Sequence, residues 1–164
     1  ALQEHRIDLG LVEGICRLPN LRYTTFLQDE LVAVVHTGSK LSLPDEITPE
    51  DLSRIPLVLR ERGSGTLDVF ERALSEHNMK LSSLNVLLYL GSTESIKLFL
   101  EHTDCIGIVS IRSISRELLS GTFRVIEIKG MPMLREFCFA QPQGQESGLS
   151  QVLMQFAMHH NKKL

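Results

Sequence analysis

No run of apolar residues in this 164-residue chain approaches the roughly 18 that a membrane-spanning helix needs. Basic charge is not in excess. Lys and Arg number 17 against 20 Asp and Glu, for a formal net charge of -3, and the pI is near 6.1. Holding a phosphate backbone needs a basic surface, so these residues are not expected to bind nucleic acid themselves. Cysteine is scarce: Cys16, Cys105 and Cys138 lie far apart, with no CxxC pair and no Cys/His spacing of a zinc site. The expectation is three reduced, mostly buried thiols in a cytoplasmic protein, with no disulfide framework and no metal. No basic and apolar leader opens the chain, so no secretory signal is expected. Ala1 to His5 reads as the middle of something, which suggests a fragment or a chain that starts inside a domain. Internal repeats and low-complexity tracts are also missing. What is present is 43% hydrophobic and 23% charged residues, enough for one domain with a real core.

Along the chain, short apolar runs alternate with helical patterns. Ile7-Asp8-Leu9-Gly10-Leu11-Val12 reads as a buried parallel strand rather than an edge strand. Residues 21–35 read as one long strand, or a pair broken near Gln28-Asp29-Glu30. Thr48-Pro49-Glu50-Asp51 carries a cap, a first-turn proline and acids suited to a helix start, and Pro56 ends that helix. Strands are expected at 57–59, 86–90, 105–109, 123–128 and 135–140. Helices are expected from 67 to a stop at Asn78, at 95–102 and at 113–119. The final helix is expected to bury Leu149, Val152, Leu153, Phe156, Ala157 and His160 on one face. This alternation is the α/β pattern, a mainly parallel sheet with helices on both faces.

Chemistry concentrates at strand-to-helix turns, because ligands of open α/β sheets bind beyond the carboxyl ends of strands. Gly63-Ser64-Gly65-Thr66 follows one strand and Gly91-Ser92-Thr93 another. Small residues, hydroxyls and the free N–H groups of a helix N-terminus suit an anion such as a carboxylate or phosphate. The alternative is that Ser64 or Thr66, and Ser92 or Thr93, only cap their helices. Neither turn has the GxxxxGK[ST] or GxGxxG spacing of a nucleotide site, so no phosphate-rich cofactor is expected. GxSxG is absent, and the six histidines are scattered at 5, 36, 77, 102, 159 and 160, so no enzyme is expected. Arg60 and Arg62 flank the first turn and could reach a carboxylate, though at least one is expected to pair with a surface acid. Glu13 closes the first strand, where it could bond a ligand, gate a site or face solvent. Cys105 is expected in the core, because a redox switch needs an accessible, low-pKa thiol.

The order of several segments resembles the effector-binding domain of LysR-type transcriptional regulators. They are Ile7–Gly14, Leu27-Gln28-Asp29-Glu30-Leu31-Val32-Ala33-Val34-Val35, Thr37-Gly38-Ser39-Lys40-Leu41, Ile47-Thr48-Pro49-Glu50-Asp51-Leu52, Pro56–Thr66, Leu90–Lys97 and Ile108-Val109-Ser110. The resemblance covers essentially the whole chain. It implies a two-lobed, periplasmic-binding-protein-like fold with a small-molecule ligand in the cleft between lobes. Closure of the cleft would bias DNA binding by a separate winged helix-turn-helix, and a homodimer or tetramer would form. On this mapping residues 1–35 and 132–164 are the remnant of an incomplete first lobe, and 36–131 form the second. The DNA-binding segment lies outside the chain.

Carried over by position, Ser64, Gly65 and Thr66 with Gly91, Ser92 and Thr93 face the cleft from the second lobe, and Glu13 lies near it from the first. One departure stands out: where the family has Gly-x-Gly-Ile, this chain has Thr103-Asp104-Cys105-Ile106, so no ligand contact is carried over there. The peroxide-sensing branch has a reactive cysteine near the first turn, and Ser64 stands there instead. The reading is an effector sensor for an anionic metabolite. A solute-binding protein of a transport system is the alternative, with a small-molecule enzyme using Ser64 behind it.

Overall fold

Residues 2, 4, 6–13, 18–144 and 148–161 are described by the computed structural model. Cys16 and His5 lie outside them. In chain order the strands are β1 (Gly10–Glu13), β2 (Leu21–His36), β3 (Glu46–Ile47), β4 (Leu57–Arg60), β5 (Val86–Leu90), β6 (Ile106–Ser110), β7 (Phe123–Ile128) and β8 (Met133–Pro142). The α-helices are α1 (Gly65–Glu76), α2 (Thr93–His102), α3 (Ser115–Leu119) and α4 (Gly148–Asn161). The chain divides into two compact units: unit 1 is residues 1–29 with 135–164, and unit 2 is residues 30–134. Both divisions fall within strands, β2 and β8.

Unit 2 is built around neighbouring strands in the order β2-β6-β4-β5, with β7 on the other side of β2 and β3 beside β7. The α/β class is as expected, but the pairing is mixed rather than mainly parallel. β4 runs parallel to β5 and β6, and β3 to β7. β2 is antiparallel to β6 and β7. Successive side chains of a strand point to opposite faces, and unit 2 uses both. Leu31, Ala33, Val35, Leu57, Leu59, Ile106 and Ile108 share one cluster with Leu67, Phe70, Ala73 and Leu74 of α1. Val32, Val34, Val58 and Val109 share the other with Ile96 and Leu100 of α2 and with Ile114 and Phe123. Each fully buried Leu, Ile or Phe contributes about 1.5–3 kcal/mol, so this double layer dominates the stability of the unit.

Two local features hold α1 and α2 in place. Gly107 of β6 lets α2 approach closely, since a Cβ there would lie 3.0 Å from Ile96 Cγ2 and 3.1 Å from Leu100 Cδ1. α1 stops as expected: Asn78 has φ 57°, the left-handed conformation that asparagine tolerates after a helix. The expected helix after Thr48 is a single 3-10 turn, Pro49–Ser53. There Asp51 accepts from both the N–H and the hydroxyl of Thr48, at 2.9 and 2.8 Å.

In unit 1 the neighbours run β1-β8-β2. β1 is antiparallel to β8, pairing Gly10 with Ala140 through to Glu13 with Phe137. This corrects the reading of residues 7–12 as a buried parallel strand: among the described residues β1 has β8 as its one neighbour, antiparallel, and Leu11 is exposed. The apolar run was legible, but the neighbour it was expected to have is not among the described residues. A charged cluster sits beside it. Arg135 holds the buried Asp29 through Nε and Nη2, 2.8 and 2.7 Å from Oδ2, and its guanidinium lies 4.9 Å from the centre of the Phe137 ring.

The second correction concerns α4. Leu149, Val152, Leu153 and Phe156 form the apolar stripe the sequence shows, but they are exposed, and it is Ser150 that is buried. Periodicity locates an apolar face; it does not supply the surface that buries it.

Candidate functional site

The two turns singled out by composition are both in unit 2, and the sheet makes them neighbours. β4 and β5 lie side by side in parallel, with Arg60 opposite Leu90, so α1 and α2 both start beyond the same edge. The backbones are joined there: the Glu61 N–H donates to the Leu90 carbonyl at 3.1 Å. Arg60 adds a second tie, donating from Nη2 to the Gly91 carbonyl at 3.2 Å.

Each turn ends in a serine N-cap. Ser64 is extended, and its Oγ accepts from the Leu67 N–H at 3.2 Å. Ser92 is also extended, and its Oγ accepts from the Ser95 N–H at 3.1 Å and lies 2.8 Å from Ser95 Oγ. The cap role is therefore real at both positions. It does not exhaust the hydroxyl, which has one donor and two acceptor sites. Gly63, at φ 85°, supplies the left-handed step that turns the chain into α1. Thr66 is only 8% exposed, so Gly63, Ser64 and Gly65 form the accessible part of the first turn. Ser95 was not singled out by sequence reasoning; its signal was the serine three residues after the Ser92 cap, the spacing at which a polar side chain reaches back to a cap.

The charges around these turns are unequal. Arg60 is committed to Glu61, donating from Nε at 3.0 Å and Nη2 at 2.8 Å. Those bonds hold the Glu61 carboxyl below its ordinary range and raise the guanidinium. The expectation that at least one flanking arginine pairs with an acid is met here. Arg62 is exposed and has no acidic partner among the described residues. Asp68 and Glu94 occupy the first turns of α1 and α2, where they favour the helix dipole and oppose an incoming anion. Glu94 is offset by Lys97, 2.9 Å away.

Glu13 lies in unit 1, at the end of β1. It is half-buried rather than solvated, with Oε2 3.9 Å from Arg135 Nη1. Its Oε1 is buried and, among the described residues, has no hydrogen-bond partner.

Other features bear on chemistry. Cys105 sits in the core of unit 2, and burial, reinforced by Asp104, pushes its thiol up to about 11; it is the opposite of a reactive thiolate. Cys138 is buried in unit 1. Asp104 ties down the loop after β2, accepting from Ser39 Oγ at 2.9 Å and the Lys40 N–H at 2.8 Å. A cavity of about 470 Å³ in unit 2 lies between β2 and the segment from β7 to Met133, with Glu30 and Glu127 among its lining; it contains none of the expected site residues. Among the described residues no group of three or more His, Cys, Asp or Glu could hold a metal ion, and no helix is long and apolar enough to cross a membrane.

The comparisons with known proteins agree with one another. A family model described as the LysR substrate binding domain matches residues 1–162. The uncharacterized HTH-type transcriptional regulator YeiE of Escherichia coli (strain K12) is 33% identical over 128 residues, covering 78% of this chain and 42% of that protein. This chain thus spans less than half of that relative's length. The regulatory domain of Synechocystis PCC6803 CcmR, solved in complex with 2-PG, superimposes with a TM-score of 0.81 at 24% identity, covering 99% of this chain and 77% of that one. The effector-binding domain of QuiR in complex with shikimate gives a TM-score of 0.75 at 20% identity, over 99% and 75% of the two chains.

Proposed function

This chain belongs to the LysR substrate-binding domain family, and on that premise we propose that it binds a small anionic metabolite at the joined turns Gly63–Thr66 and Gly91–Thr93. One observation carries the reading: two serine-capped helix N-termini are held side by side by Arg60 and by the Glu61 N–H. Two sets of backbone donors and two positive dipole ends then converge on one edge of the sheet. Ser64, Gly65, Ser92 and Thr93 supply the donors, and Arg62 supplies the uncommitted positive charge. In unit 1, Glu13 is assigned a hydrogen-bond acceptor role through Oε1.

The chain is the effector-sensing part of a longer cytoplasmic transcriptional regulator that works as a homo-oligomer. DNA contact falls to residues outside 1–164, in line with the net charge of -3. The effector acts only through a difference in affinity between two states of the protein. The ligands of the two solved neighbours, 2-PG and shikimate, are the first compounds to titrate, followed by other small carboxylates and phosphate esters.

The test exploits the chemistry of the cap. Aspartate caps a helix as well as serine does, but it places a carboxylate where the anion would sit. Ser64→Asp and Ser92→Asp are expected to keep the Tm within a few degrees and to abolish the ligand-induced rise in Tm. Full ligand response in both variants would overturn the site. Ser→Ala at the same positions is expected to cost about 0.5–2 kcal/mol of stability through the lost cap, with a smaller loss of affinity.

A further inference from the structure

Two neighbouring strands of unit 2 part where β2 enters the unit. β7 pairs with β2 from His36 opposite Phe123 to Ala33 opposite Ile126. The next step of that register would set Val32 opposite Glu127, but beyond Ile126 β7 is held by β3, through Glu46 opposite Glu127 and Ile47 opposite Ile128. The cavity of about 470 Å³ lies at this parting, and a volume of that size suits a small molecule. Its walls are apolar with two exceptions. Val32, Ile111 and Val125 pack with the cluster that faces α2, and Met131 and Met133 line the cavity from the segment after β7. Side chains two apart on a strand share a face, so Glu30 falls on the face of Val32 and Glu127 on that of Val125. Both carboxylates are in the lining and exposed, and neither side chain has a hydrogen bond or ion pair with a described residue. The basic residues nearest in sequence, Arg112 and Lys129, are not in the lining, and Lys129 pairs with Glu46 at 3.9 Å. Every charge that lines the cavity is therefore negative.

We propose that this cavity binds a small organic cation, an ammonium or amidinium group on a short apolar stem. The stem fills the space against Val32, Ile111, Val125 and the two methionines. The positive end lies with Glu30 and Glu127, relieving the repulsion of like charges on adjacent strands. Methionine suits such a wall because its unbranched thioether adapts to the stem it meets. The lining starts at Glu30, the first residue of unit 2, and reaches Met133, one short of its last. The occupant therefore touches β2 and β8, the two strands by which the chain passes between its units. None of Glu13, Arg62, Ser64 or Ser92 lines the cavity, so this is a second input of opposite charge, and it does not rest on the reading of the joined turns.

The probe is n-hexylammonium chloride, with n-hexanol and hexanoate as controls for the stem and for the charge. The readout is methyl NMR of isotope-labelled methionine: Met131 and Met133 line the cavity, whereas Met79, Met154 and Met158 do not. The amine is expected to shift Met131 and Met133 saturably and to bind at least about 5-fold more tightly than the alcohol, a factor within reach of two exposed ion pairs. Hexanoate is expected to leave both signals in place. Glu30→Gln combined with Glu127→Gln, isosteric changes at exposed positions, is expected to keep the Tm and to reduce the amine to the affinity of the alcohol. Unmoved Met131 and Met133 signals in the amine titration would overturn the proposal. So would equal affinity for amine and alcohol, or unchanged amine affinity in the double variant. Signals that move with protein concentration alone would also overturn it, by making a second copy the occupant.

Discussion

Gly107 illustrates how one absent side chain sets a distance. The two atoms nearest the missing Cβ, on Ile96 and Leu100, are the fully buried contacts of α2 with the sheet. A methyl group at 3.0 Å forces those side chains off their rotamers or lifts the helix. Gly107→Ala is therefore expected to cost about 1–3 kcal/mol in urea unfolding, whereas Gly121→Ala has open space and pays only for φ 72°. Because Ser92 is the cap of the same helix, Gly107→Ala is also expected to weaken ligand binding at the proposed site. The sequence did not announce this. Gly107 reads as an ordinary glycine in an apolar strand, and only the packed helix reveals what its Cβ would strike.

At the scale of elements, what was legible followed from local signals. The β4 strand, the Gly63 turn, the Ser64 cap and α1 are all specified within about 20 consecutive residues, and all are found. What was missed depended on partners distant in sequence. Arg60 reaches the Gly91 carbonyl across 31 positions, and no spacing rule marks that bond. The single described neighbour of β1 and the open face of α4 were misread for the same reason: burial belongs to the pair of surfaces, not to one of them. Lys97 shows such a pairing in favourable form. It bridges α2 to α3 and the turn before it, 2.7 Å from Glu117 and 3.1 Å from the Ser113 carbonyl.

The bonds of that bridge leave a pH signature. Burial pulls the Lys97 ammonium down, but its hydrogen bonds with Glu117 and Glu94 outweigh that and raise it. The bond from Lys97 lowers the Glu117 carboxyl. A lowered carboxyl stabilises the fold above its unfolded value, near 4.3, and loses that contribution as pH falls through the folded value. The raised ammonium stabilises the fold below about 10.4 and loses its contribution as pH rises further. Glu117→Gln is expected to cost about 1–2 kcal/mol at pH 7, the lower part of the range for a charged hydrogen bond because Glu117 is partly solvated. In urea titrations the difference from wild type should begin to shrink as pH falls below about 4.3 and close once pH is below the lowered folded value.

For the whole chain, the two units differ in how much apolar surface each buries. Unit 2 carries both core clusters, and unit 1 is held mainly by the β1-β8-β2 pairing and the Arg135–Asp29 ion pair. Unfolding of residues 1–164 is therefore not expected to be two-state. The composition offers a clean readout. There is no tryptophan, and the two tyrosines are Tyr23 in unit 1 and Tyr89 in unit 2. Tyr89→Phe leaves Tyr23 as sole reporter of unit 1, and Tyr23→Phe does the reverse. The Tyr23 signal is expected to change at lower urea than the Tyr89 signal; coincident transitions would show one cooperative unit.

The proposed site at the joined turns also bears on how such a protein would acquire a new ligand. Their frame is fixed from behind, by the backbone bond from Glu61 to Leu90 and by the guanidinium of Arg60 on a main-chain oxygen. None of these ties uses the side chain of Arg62 or Thr93, and neither residue caps a helix. Mutation can therefore sample those positions while the scaffold stays still, much as type is reset within a locked frame. Selection for a different metabolite has a short list of letters to change and little folding risk in changing them.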